Sequence, residues 1–572
     1  MSDVMSAAAT NAEITRERIE SDVPNTTKEV VSGSKLTRYD YPKGLSLAST
    51  LLSLALGTFL MALDTTIITV AIPEISTHFN ALDQVGWIGS AYLITLTAFQ
   101  PIAGNLYKNF DPKITYLVFM VIFEVGSALC AAAPLAAVFI LGRAIAGIGA
   151  AGLIQGALGI ITYISPLQKR PLYMAIVISV FGITSSMGPV VGGVFTDRIT
   201  WRWCFWINLP IGLVAFLLVV FSLQLKYVAN IAERQLPLKT KLKRVDPIGI
   251  VLLFGFVSCL CIALQDGGNN IPWSSSRVIG LLVGFGALKI LFWITQWRLG
   301  EHALIPVRFL RQRTVAFGSL FLFCDNMSNY IKLYYLPFYF QAVLGTSAIR
   351  SGVNYIALAV PQFFGLLLSG GLVTGYGYFM PVILVGQVIC VVGTGLLTRI
   401  STTTSTAEWA TFLALTGIVL GMGINAPHIA IQAVMETDAD VFLANGVATF
   451  FSQLGGTVAI PIGNAILLNG LGNYIPKYTK DIAVQTVIRA GPLALHDISP
   501  SADTVHGIQL AYSKAIQHVL IFALAVVCVS IPASCGMEWL NIKKISRDRE
   551  TSKETGHVNS IGNEQLSEAE KL

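Results

Sequence analysis

Charged residues are scarce in this sequence. Only 12% of the 572 residues are Asp, Glu, Lys or Arg, whereas a soluble globular chain carries roughly 25%. The formal net charge of +6 is modest. We interpret the basic residues as determinants of membrane orientation rather than as a sign of nucleic-acid binding. The scarcity of charge excludes a soluble globular protein, and we predict no nucleic-acid partner.

Signatures of enzymes and of cofactor or metal sites are also missing. No P-loop, HExxH, GxSxG or CxxC pattern occurs at a usable place, so we predict neither an enzyme nor a cofactor. The eight cysteines lie within or at the edges of apolar segments, and none has a metal-ligand spacing with histidine. We interpret them as small packing residues and predict no metal site.

Long apolar segments dominate what is present. Hydrophobic residues make up 54% of the chain, and apolar windows of roughly 20 residues, long enough to cross a bilayer, recur from about Leu45 to about Met537. We predict an all-α, multi-pass membrane protein with about fourteen transmembrane helices. Their predicted starts lie near Leu47, Gln84, Ile114, Ala137, Leu172, Cys204, Ile248, Val278, Thr314, Gly352, Met380, Trp409, Phe442 and Ala515.

Basic residues cluster in alternate short loops and predict the orientation. Lys108, Lys113, Lys169 and Arg170 lie in two such loops, and the loop between the first two predicted spans has no Lys or Arg. By the positive-inside rule these basic loops face the cytosol. The acidic stretch around Asp440 should also be cytosolic and departs from the rule.

The chain divides into two halves around a central basic loop. We predict a disordered cytosolic tail at 1–44, a six-helix half at 45–225, a cytosolic loop at 226–246, two extra helices at 247–298, a second six-helix half at 299–540 and a cytosolic tail at 541–572. Residues 470–513 are predicted to form a long extracytosolic loop. Similar glycine, leucine and aromatic positions in 104–111 and 370–377 indicate an internal repeat of the two halves.

Two ionisable residues within the apolar spans are the first candidates for function. An ionised side chain at the centre of a transmembrane helix costs about 2.5–3.5 kcal/mol. Gly57, Asp64 and Ala71 recur every seven residues, so Asp64 shares a small-residue face that should turn inward. Arg143 is the natural cation for Asp64. Burial favours the neutral acid and Arg143 favours the charged one, so we predict proton exchange at Asp64, with a static ion pair as the alternative.

Three further charged residues occupy predicted spans. For Glu124 a structural role and a role in coupling remain open. Asp325 and Lys332 lie seven residues apart on one helical face with Asn329 between them. They predict either an ion pair or water-bridged chain inside a cavity, or a Lys332 that extends to the outer surface and leaves Asp325 facing the transport pathway.

Uncharged polar residues at membrane depth suit a large amphipathic cavity, although each one alone is typical of interhelical hydrogen bonding. The cavity candidates, together with Asp325 and Asn329, are Thr65, Gln100, Gln155, Gln341, Asn354, Gln362, Asn425 and Gln432.

The segment 182–193 carries small residues at helical spacing. Gly182, Pro189 and Gly193 fall on one face, and Gly188 and Gly192 form a second small pair. Such a surface lets another helix approach closely, and Pro189 bends the helix. Helix packing with no further role is the alternative to a hinge.

Taken in order, several stretches resemble the fourteen-spanner drug:proton antiporter family of the major facilitator superfamily, particularly its fungal multidrug and toxin-efflux members. The segment 63–73 is similar to that family's first-helix motif, 143–149 to its span-four motif, 182–193 to its span-five antiporter motif, 201–212 to the stretch entering span six, and 334–341 with 351–352 to the segment leaving span nine. The loop 104–113 departs from the superfamily pattern, since Lys108 replaces the usual acid.

The resemblance implies a major facilitator fold and proton-coupled efflux of amphipathic small molecules such as drugs, fungicides or a secondary-metabolite toxin by alternating access. It implies roles in proton coupling for Asp64 and Arg143. We expect a monomer in the plasma membrane, with vacuolar or vesicular membranes as alternatives. A fourteen-spanner importer, for example of siderophores, and a membrane-embedded enzyme or receptor are the competing functions.

Overall fold

The chain is all-α in the computed structural model, which describes residues 42–79, 85–223, 246–267, 271–435, 437–479, 482–490, 502–548 and 551. These residues contain no β-strand, only two isolated bridges. The predicted fold class is therefore confirmed. The predictions for the tail 1–41, for the loop at 224–245 and for residues 552–572 lie outside the described residues.

Long helices follow one another in the order expected from the apolar segments. They are α1 (Leu45–His78), α2 (Val85–Asn109), α3 (Pro112–Ala132), α4 (Ala136–Ile164), α5 (Arg170–Arg198), α6 (Trp203–Ser222), α7 (Pro247–Asp266), α8 (Ser276–Leu299), α9 (Arg313–Phe338), α10 (Ala348–Tyr376), α11 (Met380–Leu397), α12 (Thr406–Val434), α13 (Asp438–Tyr478) and α14 (Ala502–Gly536).

Not all of these helices are equally apolar. Within the described residues, eleven helices are long and apolar enough to cross a membrane, or up to twelve if the bent helix α5 counts as one span. Helices α2 and α9 are long enough but fall below that hydropathy. The integral, multi-pass character is confirmed, and the number of fourteen crossings stays a prediction.

The predicted extracytosolic loop 470–513 is partly wrong. Helix α13 continues to Tyr478 and α14 already begins at Ala502. The two helices keep packing beyond their most apolar parts, because Gly470 faces Ala515 and the Tyr474 hydroxyl lies 2.8 Å from His518 Nε2. Hydropathy does not detect this contact, since the packed residues are polar or small.

The two extra helices form a pair beside the gap between the halves. Apolar residues of α7 and α8 share a buried cluster with α2 and α13, including Leu253 and Phe292. Asp246 fixes their shared end: its carboxylate accepts hydrogen bonds from Gly249 N at 2.8 Å and Gln296 Nε2 at 2.7 Å. The extra pair is thus tied to both halves through apolar packing.

We call the end of the helical bundle that carries Lys108, Lys113, Lys169 and Arg170 the basic end. The N half comprises α1–α6 and the C half comprises α9–α14. The acidic Asp440 also lies at the basic end, where its Oδ1 accepts a hydrogen bond of 2.6 Å from Arg308. This ion pair accounts for the departure of that loop from the positive-inside pattern.

The beginning of the predicted tail 541–572 is docked on the basic end. Ile542 N donates to Gly377 O at 2.8 Å in the C half, and Gln168 of the N half donates to Ser546 Oγ at 3.3 Å. Residues 542–548 are helical. The tail is therefore ordered at its start, because it finds partners that its polar composition does not reveal.

Candidate functional site

Asp64 and Arg143 form a buried ion pair between α1 and α4. Arg143 Nη1 lies 2.5 Å from Asp64 Oδ2, and the two side chains are 1% and 0% exposed. Asp64 Oδ1 has no hydrogen-bond partner among the described residues. The pairing expected from the sequence is present, and one carboxylate oxygen is left without a compensating donor.

Aromatic rings enclose the guanidinium. Its central carbon lies 4.4 Å from the centroid of Tyr92 and 5.9 Å from that of Phe205, and Arg143 Nε donates to Ile88 O at 3.4 Å. Rings attract a cation through their negative faces. Arg143 is thus held in place whether or not Asp64 is charged.

An amide and a hydroxyl lie on the other side of Asp64. Asn208 of α6 lies beside the Asp64 carboxylate, and its Nδ2 donates to Ser127 Oγ of α3 at 3.2 Å. The Asn208 Oδ1 atom has no partner in the described chain. Sequence reasoning missed Asn208 and Ser127, because an isolated amide or hydroxyl in an apolar helix carries no signal for its partner.

Glu124 lies on α3 against α6. Its carboxylate occupies space left by Gly212, where a Cβ atom would come within 1.8 Å of Glu124 Oε1. Neither carboxylate oxygen has a hydrogen-bond partner in the described residues. A side chain at 212 would displace the Glu124 carboxylate from this position, and the role of Glu124 in proton coupling stays a prediction.

The small residues of α5 contact two different helices, α1 and α10. A Cβ on Gly188 would lie 2.2 Å from Thr66 Oγ1, and one on Gly192 would lie 2.6 Å from Ile67 O. This surface packs on α1, two and three residues beyond Asp64.

The second surface of α5 meets the C half. A Cβ on Gly182 would lie 3.4 Å from Ala359 O of α10, and Pro189 lies beside Gly352 of α10. Gly193 is buried, and the helix is bent by 40° between 170–184 and 187–196. One helix therefore contacts both the ion-pair helix and the opposite half, as a hinge would require.

Polar contacts join the two halves towards the basic end. Gln155 Nε2 donates to Phe442 O at 2.6 Å, and Thr449 Oγ1 donates to Gln155 Oε1 at 3.2 Å. The Phe442 ring stacks on Tyr107 at 5.3 Å, and it occupies the space above Gly159. Phe442 is the central residue of this contact, and its apolar surroundings in the sequence gave no indication of that role.

Two more of the predicted cavity residues take part in this contact between halves. Asn425 Nδ2 donates to Pro171 O at 2.8 Å, and Gln432 Nε2 lies 3.3 Å from the Met174 sulfur. In this conformation Gln155, Asn425 and Gln432 hold the basic end closed. Their contact with cargo stays a prediction.

The C half contains its own buried acid. A Cβ on Gly423 would lie 3.5 Å from Asp325 Oδ1 and 3.7 Å from Gln387 Nε2, so these two side chains meet at α12. Ser530 Oγ donates to Gln387 Oε1 at 2.9 Å. Lys332 is fully buried and donates to Thr394 Oγ1 at 3.3 Å.

The structure shows neither a direct ion pair between Asp325 and Lys332 nor a lysine that reaches the surface. The two side chains form no ion pair within 4.0 Å, and Lys332 has no exposed surface. A direct pair and a surface-reaching lysine are both wrong for this conformation, and a water-bridged chain between Asp325 and Lys332 stays a prediction. Helix α9 places them two turns apart, each with a neutral partner on α11.

The remaining cavity candidates differ in how much of each side chain is exposed. Thr65 and Gln362 are buried, Asn329 is 6% exposed, and Gln341 and Asn354 are half-buried. Thr65 donates to Met61 O, and both amide atoms of Gln100 lack a partner in the described residues. No group of three metal-ligating side chains occurs in the described part of the chain.

Comparisons of the sequence with known proteins point to one superfamily. The profile of the Major Facilitator Superfamily matches residues 54–460. The chain is 40% identical over 500 residues to the "MFS-type efflux pump MFS1" of Arthroderma benhamiae, which covers 87% of this chain and 92% of that protein. It is 37% identical over 505 residues to the "Rubrofusarin-specific efflux pump aurT" of Gibberella zeae, covering 88% of this chain and 91% of that protein.

Solved structures share the fold at low identity. The proton:xylose symporter XylE has a TM-score of 0.53 with 14% identity, covering 87% of this chain and 98% of that one.

Proposed function

Because the chain belongs to the Major Facilitator Superfamily, we propose that this membrane transporter is a proton-coupled antiporter that exports amphipathic small molecules by alternating access. One of the efflux pumps that it resembles is named as specific for rubrofusarin, and that name supports the export of a small molecule. As cargo of this protein we propose drugs, fungicides or a secondary-metabolite toxin. We place the protein, as a monomer, in the plasma membrane. Protons, one small-molecule cargo and the lipid bilayer are its partners.

The buried pair of Asp64 and Arg143 is the observation that carries this proposal. Burying a carboxylate is unfavourable unless a cation and hydrogen bonds compensate for the lost water. Here one cation compensates at 2.5 Å, while the second carboxylate oxygen lacks a donor. A proton that binds Asp64 removes its charge and weakens the pair, and Arg143 stays charged because a guanidinium does not deprotonate in proteins.

The packing around this pair connects protonation to conformation. Thr66 Oγ1 on α1 lies 3.3 Å from Thr184 O on α5, and α5 packs on α10 of the C half. A change at Asp64 therefore acts on the helix that joins the halves. In the described conformation the basic end is closed by Gln155 and Phe442, and proton exchange would shift the balance between this state and one open to the cytosol.

The test is transport by the purified protein in proteoliposomes with ethidium as the probe. We expect ethidium to accumulate when the vesicle interior is acidic and to stop accumulating when a protonophore removes the gradient. Uptake that does not depend on the gradient would contradict proton coupling. Ethidium accumulation only when the vesicle interior is alkaline, in the same direction as the protons, would favour the importer, and chemically altered ethidium would favour an enzyme.

A further inference from the structure

The first helix of each half carries an acid as the middle one of three residues spaced seven positions apart. Gly57, Asp64 and Ala71 recur at seven-residue intervals in α1, and Gly318, Asp325 and Lys332 recur at the same intervals in α9. The proposed mechanism uses Asp64 and leaves Asp325 without a role. Asp325 is 2% exposed in a helix of membrane-spanning length, where a buried ionisable group indicates function.

The surroundings of the two acids are of the same kind. Beside Asp64, an amide of the sixth helix of the half donates to a hydroxyl of the third, Asn208 to Ser127 at 3.2 Å. Beside Asp325, a hydroxyl of the last helix donates to an amide of the third helix of its half, Ser530 to Gln387 at 2.9 Å. Both acids thus face neutral polar groups that can donate to or accept from a carboxyl group.

The two sites differ in their charge compensation. The fourth helix of the N half supplies Arg143, whereas the fourth helix of the C half supplies Gly423. No cation lies within 4.0 Å of Asp325 in the described residues. A buried carboxylate without a paired cation is strongly unfavourable, whereas a protonated carboxyl can hydrogen-bond to Gln387 at a modest cost.

A polar row leads from Asp325 along α9. Ser328, Asn329 and Lys332 follow at three, four and seven residues, so they share one helical face with the acid. Ser328 is fully buried and its hydroxyl has no hydrogen-bond partner in the described residues. Lys332 is also fully buried and has the hydroxyl of Thr394 as its partner.

The other titratable groups near Asp325 are weak competitors for a proton. Cys324 is the adjacent residue on α9, and Cys390 lies on α11 near Lys332. On α12 the titratable residues are His428, five positions beyond Gly423 and therefore on another face, and Glu408, which lies in the first turn of the helix in the capping box with Ser405. Helix α14 contributes Ser530, and on α13 the charge of Asp440 is paired with Arg308 at the basic end.

We propose that Asp325 is a second proton-binding site, located in the C half and separate from Asp64. In the described conformation its carboxyl group holds a proton. In the other conformation one proton leaves Asp325 for water, and the resulting carboxylate is compensated by the Lys332 ammonium through Ser328 and Asn329. The proposal rests on the proton-coupled exchange proposed above, because a bound proton contributes to transport only if the cycle releases it.

Infrared difference spectroscopy of the reconstituted full-length protein tests this site without any cargo. Aspartate labelled with 13C at the side-chain carboxyl separates aspartic acid from glutamic acid bands. We expect a labelled, protonated-carboxyl band at neutral pH that titrates away at alkaline pH and is lost in Asp325→Asn. Asp503→Asn, which removes an exposed acid of α14, should leave the band unchanged.

A band that keeps its full wild-type amplitude in Asp325→Asn would overturn the proposal, and any remainder that Asp64→Asn removes belongs to Asp64. If Asp325→Asn fails to fold, Asp325→Glu is informative, because the labelled aspartate band should disappear while an unlabelled glutamic acid band replaces it. Failure of the general function is recognised separately. It would appear as gradient-independent ethidium transport by the wild-type protein, whatever the infrared result at Asp325.

Discussion

The N half and the C half differ in how they compensate the charge of a buried acid. Each buries an acid in its first helix, but Asp64 is neutralised by Arg143 at 2.5 Å, whereas Asp325 meets the amide of Gln387. The difference arises in the fourth helix of each half, which offers an arginine in one case and Gly423 in the other. The N half therefore contains a charge pair that can be broken, and the C half contains a neutral polar cluster.

The two halves also differ in how the acid connects to the rest of the molecule. Residues next to Asp64 pack directly on Gly188 and Gly192 of α5, and another surface of α5 packs on α10. Asp325 packs instead within its own half, between α11, α12 and α14. We infer that the N-half acid is the one placed to move the halves relative to each other.

Removal of the arginine should give the largest difference between the halves. Arg143→Met leaves a buried, unpaired carboxylate, and breaking a buried pair in this way costs about 3–5 kcal/mol. Asp325→Asn keeps a hydrogen bond to Gln387 and should cost about 1 kcal/mol. Thermal unfolding in detergent measures both. Similar losses for the two variants would remove the distinction between the halves.

A methyl group on the α5 surface should have the next largest effect. The Cβ of Gly192→Ala would lie 2.6 Å from Ile67 O, and such overpacking costs about 1–3 kcal/mol. Gly371→Ala in the C half is the matched control, since no atom lies within 4 Å of its Cβ. We expect Gly192→Ala alone to lower the unfolding temperature and the efflux rate, and equal behaviour of the two variants would argue against a tight α1–α5 contact.

Weakening the contact between halves should shift the conformational balance. Gln155→Leu removes the hydrogen bonds to Phe442 O and from Thr449, worth about 1 kcal/mol in total. A shift of that size changes the ratio of the two states about five-fold. Spin labels at the exposed Lys169 and Lys544 of the basic end would report it as a larger population of long distances.

The control for that experiment is Gln341→Leu. Gln341 is half-buried near the opposite end of the bundle, so this variant should leave the distance distribution at the basic end unchanged. An unchanged distribution in Gln155→Leu as well would show that the closed state does not depend on this contact.

The smallest effect is expected at the surface. Arg308 pairs with Asp440 at 2.6 Å and with Glu301 at 2.9 Å, but its side chain is 43% exposed. Exposed pairs contribute up to about 1 kcal/mol and weaken with salt. Arg308→Gln should lower the unfolding temperature slightly at low salt and not at high salt. A loss comparable with that of Arg143→Met would mean that burial does not govern these pairs.

The fold and the N-half pair could be predicted because their signals are local. Apolar length indicates each long helix, and a charge inside an apolar helix requires a partner, which directed attention to Asp64 and Arg143. The small residues of α5 were also visible from their spacing. Their division between α1 and α10 was not, because periodicity identifies a face without identifying the helix that covers it.

Other features depend on contacts between distant segments and left no signal. Gln387 and Ser530 are ordinary polar residues until α11 and α14 bring them to Asp325. The sequence does not distinguish Phe442 from the other phenylalanines, because its role arises from stacking on Tyr107 of the opposite half. The extension of α13 to Tyr478 was missed because polar residues there are stabilised by packing on α14 rather than by hydropathy.

Proton-coupled efflux requires exchange of a proton at Asp64, and a comparison of two transport modes of Asp64→Asn tests this requirement most directly. Exchange of labelled for unlabelled ethidium across proteoliposomes at equal pH requires no net proton movement, whereas accumulation against a concentration gradient does. We predict that Asp64→Asn retains the exchange and loses the gradient-driven accumulation to the level of protein-free vesicles. Accumulation equal to that of the wild type would contradict the central claim.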